Sequence, residues 1–261
     1  MQLPELIPFF PVWLGVLAAI LGSFITAVSY RLPRGESLLS AHSRCTACGT
    51  ALRARDLIPL LSWVFSGGKC RHCGTKVSIR YPLTELACVL GVVGVYAWMG
   101  FSPLSACFML LWCAIVALIV TDLEHYIILD EVQIFLVLLG IVHAVVQGFS
   151  AEAVLSAAVA GVVIGLTLKY GFLFVFGKDG LGLGDVKFLG VAGIWLADSA
   201  SFVPFLFLSG VLGILSALLW RIAGRGQVFP FGPGLALAFL VCVLYPPAAK
   251  EFWQLYGFLQ H

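Results

Sequence analysis

Two aspartates stand out in a chain where only 11% of the residues are charged. Asp122 closes a long apolar run, and Asp185 follows alternating glycines in Gly180-Leu181-Gly182-Leu183-Gly184-Asp185-Val186-Lys187. Glycine lacks a Cβ, so Gly182 and Gly184 leave the backbone beside Asp185 open to the close approach of another chain. An ionisable group at the edge of a membrane-embedded region is a functional-site candidate by default. The plainer alternative for Asp185 is an N-cap at the start of a helix. Two carboxylates held together in a partly dry site cannot easily both ionise, so they share a proton. The ionised partner then takes a proton from an attacking water, and the protonated partner donates to a carbonyl oxygen or a leaving amine.

Cys45, Cys48, Cys70 and Cys73 form a second constellation, two C-x-x-C pairs in one polar segment. Cys88, Cys107, Cys113 and Cys242 lie in apolar runs and read as small buried hydrophobes. Two paired thiolates at this spacing match a zinc site, with no open position for catalysis once four sulfurs are bound. His42 and His72 are spare ligand candidates, and His72 reads as facing solvent.

The elements that must position these residues are membrane helices. A hydrophobic content of 61% and a mean hydropathy of +1.04 describe a polytopic membrane protein in contact with the lipid bilayer. The net charge of +2 gives no argument for nucleic acid. Apolar runs cover about 7–30, 83–99, 104–121, 127–147, 152–176, 186–198, 200–220 and 231–247. This predicts an all-α fold of about eight transmembrane helices, with 186–198 short for a full crossing. The first run follows Glu5 with no Lys or Arg before it, and it is longer than the apolar core of a cleaved leader, so it reads as a membrane helix.

Charge orients these runs. Arg31, Arg34, Arg44, Arg53, Arg55, Lys69, Arg71, Lys76 and Arg80 place nine of the fifteen basic residues within 31–81. The positive-inside rule makes that segment cytoplasmic, where thiols stay reduced and zinc is favoured over disulfides. Alternating the runs from there puts Lys178, Lys187, Arg221 and Arg225 at the same face, leaving only Lys169 and Lys250 elsewhere. Asp122 and Asp185 then share one depth at the cytoplasmic boundary. Among the other acids, Asp130 and Glu131 line a polar entrance or cap a helix start, Glu124 and His125 share a short turn, and Asp179 and Asp198 fit solvated loops. Glu85, one turn inside a span, is a candidate to pair with a basic residue of the polar segment. No Walker loop and no strand-loop-helix context for a dinucleotide motif is present.

Read as ordered blocks, the chain resembles the type IV prepilin peptidases, membrane aspartyl proteases of the GxGD group. The blocks are Gly22-Ser23-Phe24, Tyr30-Arg31-Leu32-Pro33, the two cysteine pairs, Asp56-Leu57-Ile58-Pro59, Gly67-Gly68-Lys69-Cys70-Arg71, Tyr81-Pro82 with Glu85, Asp122-Leu123, Gly182 to Lys187, and Phe229-Pro230-Phe231-Gly232-Pro233. The resemblance implies that Asp122 and Asp185 are the catalytic pair. It implies prepilin or pseudopilin substrates with a short basic leader, cleaved at the bacterial inner membrane. Members with the four-cysteine segment also methylate the new N-terminus with S-adenosylmethionine, and Gly68 and Lys69 match positions associated with that activity. The family usually has Pro where Leu129 precedes Asp130 here, which leaves the next helix start open.

The expected organisation is a first transmembrane helix over 1–30, a cytoplasmic zinc-binding segment over 31–81, and a transmembrane peptidase domain over 82–261. The rival reading of a different class is an ion- or proton-coupled transporter using its membrane carboxylates.

Overall fold

The computed structural model describes residues 9–38, 43–177, 180–197, 199–224, 226 and 228–245. His42, Lys178, Asp179, Asp198, Arg225 and Lys250 lie outside the described residues.

Each apolar run is a helix: α1 (Phe10–Arg31), α3 (Arg80–Met99), α4 (Pro103–His125), α5 (Asp130–Gln147), α6 (Ala151–Phe176), α7 (Leu183–Trp195), α8 (Ser199–Ile222) and α9 (Gly232–Leu244). A short α2 (Leu61–Phe65) lies in the polar segment. No strand occurs among the described residues, only the isolated bridges Arg44–Ala51 and Lys69–Lys76. Six helices, α1, α3, α4, α5, α6 and α8, are long and apolar enough to cross a membrane. The other two of the eight expected spans, α7 and α9, are 13 residues each, about 20 Å of helix.

Helix ends follow local chemistry. Ser150 Oγ accepts the Ala153 N–H at 3.2 Å to start α6, and Gly177 ends it at φ 65°, a left-handed turn that suits glycine. Leu129, which stands where the family usually has proline, adopts φ −65° and ψ 133°. That φ is the one a proline ring would impose, so Leu129 takes the same backbone turn and α5 starts at Asp130 without a proline.

The chain forms two compact units, residues 1–120 and 121–261, divided inside α4. In the first, α1 packs along α3. Gly22 makes the approach possible, since a Cβ there would stand 2.6 Å from Glu85 Cα. Arg80 Nη2 reaches across to Thr26 O and Ser29 Oγ, each at 3.1 Å. Trp112 lies over Gly91 and its Nε1 donates to Ala87 O at 2.9 Å.

In the second unit α7 is the central element, packed against α6, α5 and α9. Eight of its thirteen residues are buried, including Phe188 and Trp195. Trp195 Nε1 donates to Leu136 O at 2.9 Å, and its ring stacks on His143 at 4.9 Å. Phe239 of α9 packs edge-on against Phe188 and Trp195. A helix enclosed by protein need not match the bilayer thickness, which accounts for the short α7.

The α6–α7 contact runs through small residues. Gly161 faces the Leu189 carbonyl, Gly165 the Val186 backbone, and Gly193 the Ala157 carbonyl. In lipid there is little hydrophobic drive between helices, so backbones approach closely where side chains are small. Gly161→Ala places a methyl on the Leu189 carbonyl and is expected to lower stability by about 1–3 kcal/mol despite better helix propensity. Gly171→Ala, with nothing within 4 Å, is the control and leaves it unchanged or slightly raised. Thermal unfolding in detergent checks both, and equal melting temperatures would refute the close-packing account.

Candidate active site

Asp122 lies in the last turn of α4 and is 5% exposed. Its Oδ2 accepts the Gly232 N–H at 2.8 Å. Gly232 is the first residue of α9, where backbone N–H groups have no partner within the helix and the macrodipole favours an anion. A Cβ on Gly232 would stand 2.6 Å from that same oxygen. The Phe229-to-Pro233 block therefore supplies a donor and the room for its acceptor. The sequence reading did not give Gly232 this task; a Gly-Pro-Gly helix start was its only signal.

Asp185 is the third residue of α7, half-buried, and its Oδ2 accepts the Gly182 N–H at 3.1 Å. Asp185 is therefore not the N-cap that the sequence offered as its plainer role: Gly182 takes that position, and Asp185, three residues on, supplies the reach-back half of a capping box. Asp122 lies near enough to act on Asp185 through space, and so does the Lys169 ammonium. The fold thus brings both predicted carboxylates into one unit and one electrostatic neighbourhood.

The glycines of the motif are used by the protein itself. A Cβ on Gly184 would press on Ile128 at 3.2 Å, and one on Gly182 would meet Asp185 Oδ2 at 3.1 Å. Two side chains hold the carbonyls of the turn. Lys169 Nζ donates to Leu181 O at 2.9 Å, and Gln133 Nε2 donates to Gly184 O at 3.3 Å. Gln133 is 4% exposed and drew no notice in the sequence, where a lone glutamine in α5 carries no pattern.

Three further acids have other partners. Asp130 pairs with Lys187 of the same motif, Nζ to Oδ1 at 2.7 Å and to Oδ2 at 2.9 Å, both side chains exposed. Glu124 Oε2 lies 3.9 Å from His125 Nε2. Glu85 does not match the pairing expected of it with a basic side chain. Its Oε2 accepts the Leu60 N–H at 2.7 Å, so a backbone amide of the polar segment takes that place. Leu60 has φ 60° and ψ −54°, and Leu61 N donates to Pro59 O at 2.6 Å, a strained γ-turn that the Glu85 carboxylate secures.

The four cysteines converge. Their Sγ atoms all lie within 4.8 Å of one another, with Cys45 and Cys73 at 3.9 Å. Four sulfurs about 2.3 Å from one tetrahedral zinc lie about 3.8 Å apart, so a small contraction fits the metal. Each pair belongs to a repeated C-x-x-C-G-T turn, which the sequence displays and the spacing argument overlooked. Gly49 N donates to Cys45 O and Gly74 N to Cys70 O, both at 2.9 Å. Thr50 Oγ1 and Thr75 Oγ1 lie 3.3 Å from Cys48 Sγ and Cys73 Sγ. The Thr75 hydroxyl brings the Cys73 thiol down to about 6, and Thr50 lowers Cys48 likewise, favouring the thiolates a metal requires. His72 is exposed, its Nδ1 3.4 Å from Thr50 Oγ1.

Gly68 is buried under the Trp63 indole at φ 64°, while Lys69 is exposed. Trp63 Nε1 donates to Val77 O at 3.2 Å, and Val77 N donates to Gly68 O at 2.8 Å.

Comparison with known proteins matches both parts of the chain. The family model of the bacterial peptidase A24 N-terminal domain matches residues 16–99, and that of the type IV leader peptidase family matches residues 107–218. A prepilin leader peptidase/N-methyltransferase of Stutzerimonas stutzeri is 33% identical, covering 88% of this chain and 89% of that protein. Proteins of the same description from Neisseria gonorrhoeae and Pseudomonas aeruginosa are 32% and 30% identical, covering 91% and 93% of this chain and the same shares of their own lengths. No solved structure matches. Full-length similarity at this level, on an all-helical chain with six membrane-length helices, has one reading: the chain belongs to the type IV leader peptidase family and is a multi-pass membrane peptidase.

Proposed function

We propose that this protein cleaves the basic leader from prepilins or pseudopilins at the cytoplasmic boundary of the bacterial inner membrane, and methylates the new N-terminus with S-adenosylmethionine. The observation that carries the reading is the pair Asp122 and Asp185, each holding a glycine N–H and each within electrostatic reach of the other. The names of the relatives support the substrate and both reactions. They leave the transporter alternative without support.

In the proposed reaction the pair enters with one proton between its two carboxyl groups. The ionised carboxylate takes a proton from water as its oxygen attacks the scissile carbonyl, and the protonated partner donates to the carbonyl oxygen. On collapse the C–N bond breaks, the departing amine takes the proton held by the pair, and the hydroxyl of the tetrahedral intermediate gives its proton to the other carboxylate as the carbonyl re-forms, so the pair again holds one shared proton. Gly232 and Gly182 hold one oxygen of each carboxyl group, leaving the other oxygen of each for water and substrate. Gly182, exposed next to Asp185, flanks the approach of an extended substrate backbone, whereas the space at Gly184 is taken by Ile128. The orientation rests on the positive-inside bias of residues 31–81.

Zinc in this reading is structural, held by Cys45, Cys48, Cys70 and Cys73, and it stabilises a polar segment with little apolar core. The methyl-transfer reading rests on resemblance and on the relatives' names. Gly68 is closed off by Trp63 and Lys69 stands exposed, so these two residues alone build no nucleoside pocket.

Three measurements test the proposal. Purified protein with a prepilin-like substrate is expected to cleave, and Asp122→Asn or Asp185→Asn is expected to reduce cleavage by at least about 10³-fold; cleavage retained in either variant sinks the paired-carboxylate assignment. One zinc per chain is expected by metal analysis, with Cys45→Ser losing both zinc and thermal stability and Thr75→Val weakening zinc affinity about 10-fold; full stability of metal-free protein would reject the structural role. Mass spectrometry of the cleaved product is expected to show one added methyl group only when S-adenosylmethionine is supplied. An unmodified terminus under active cleavage would leave a peptidase alone.

A further inference from the structure

Of the two basic residues that the charge topology leaves aside, Lys169 is the one within the described residues, and it sits in α6 among apolar side chains. A lysine near a helix end ordinarily extends its ammonium to the interface. Lys169 is instead 9% exposed, and its Nζ lies 2.9 Å from Leu181 O in the turn that carries Asp185. Its position follows from helix register. Gly161, Gly165 and Lys169 are the buried residues of α6, spaced four apart on one face. Along the antiparallel α7, Ala157 meets Gly193, Gly161 meets Leu189, and Gly165 meets Val186. The next step down the same seam is Lys169 against Leu181. The two glycines bring α7 close, and the lysine then meets the backbone just before that helix begins.

We propose that Lys169 is a positioning residue for the aspartate pair: it fixes the Asp185 turn through the Leu181 carbonyl and places a buried positive charge beside that carboxylate. The proposal rests on the peptidase reading above. The turn contains Gly180, Gly182 and Gly184, whose backbones have the most freedom to lose. Lys169 from α6 and Gln133 from α5 restrain its carbonyls from two sides, and Asp185 itself restrains the Gly182 N–H. Gln133 is neutral, and the nearby Asp130 is engaged by Lys187. Among the described residues, the charges acting on Asp185 are Asp122 and Lys169. A cation beside two carboxylates helps keep one of them ionised, while the repulsion between the two carboxylates holds the proton on the other, so that the pair offers one base and one acid.

The test compares Lys169→Met, Lys169→Gln and Lys169→Arg with wild type and Asp185→Asn in the prepilin-cleavage assay, alongside thermal unfolding. Lys169→Met is expected to lower kcat about 10- to 100-fold with KM changed less than about twofold. Lys169→Gln keeps a hydrogen-bond donor without charge and stays low, whereas Lys169→Arg recovers to within about threefold of wild type. If Lys169→Met does not fold, the contrast between Lys169→Gln and Lys169→Arg decides. Wild-type kcat in Lys169→Gln, or a loss in Lys169→Arg equal to that in Lys169→Gln, would overturn the proposal. Failure of the wild type to cleave, or retained cleavage by Asp185→Asn, would overturn the peptidase reading on which it stands.

Discussion

The second unit is organised by the need to hold two carboxylates in surroundings that offer them little solvation. A buried carboxylate without partners is costly, and an apolar helix bundle has few side chains able to supply them. Here the supply is backbone. Asp122 accepts the Gly232 N–H and Asp185 accepts the Gly182 N–H, both at helix starts where amides are unpaired within the helix. One set of donors therefore completes two helix ends and orients two functional groups. Glycine at position 232 follows from the same requirement, because any Cβ would displace the oxygen that the amide holds.

Holding Asp185 in place depends in turn on how closely α6 and α7 can approach. Gly161 and Gly193 each lie against a carbonyl of the opposing helix, leaving no space for a larger residue without movement. That seam explains why α7 can be 13 residues long and still ordered: its support comes from packing on three helices, and most of its side chains are enclosed. It also explains why the aspartate lies at the start of a short helix. The half-buried position beside Leu181 and Gly184 exposes turn backbone that side chains from α5 and α6 can restrain.

Much of this was legible in the chain. Apolar runs and their glycine punctuation mark α1 and α3 to α9, because a bilayer demands apolar segments and a helix end demands a residue that can turn. Asp122, Asp185 and the cysteines announce themselves by rarity or spacing. What escaped notice has a common physical character. Gly232 offers its own amide to the Asp122 carboxylate, and Gln133 and Lys169 hold carbonyls elsewhere in the chain; a backbone amide or carbonyl leaves no signature in the residue that carries it. Glu85 shows the same limit, since a basic partner was expected and the Leu60 amide took its place. The threonines after each cysteine pair were visible as a repeat, yet their contact with sulfur depends on a turn geometry that spacing alone does not contain.

The polar segment meets a different constraint from the helices around it. With exposed residues predominating between 43 and 79, it has little apolar area to bury, and the hydrophobic effect cannot fix its shape. The repeated C-x-x-C-G-T turn answers this locally. Each turn is closed by a glycine amide on the first cysteine's carbonyl, and the two turns bring four sulfurs to one point. Such a segment tolerates an aqueous surface on most of its sides, whereas the α6–α7 seam is held by close backbone contact at Gly161, Gly165 and Gly193. The chain thus uses glycine for opposite ends: in the seam to let backbones touch, and in the knuckles to let them turn.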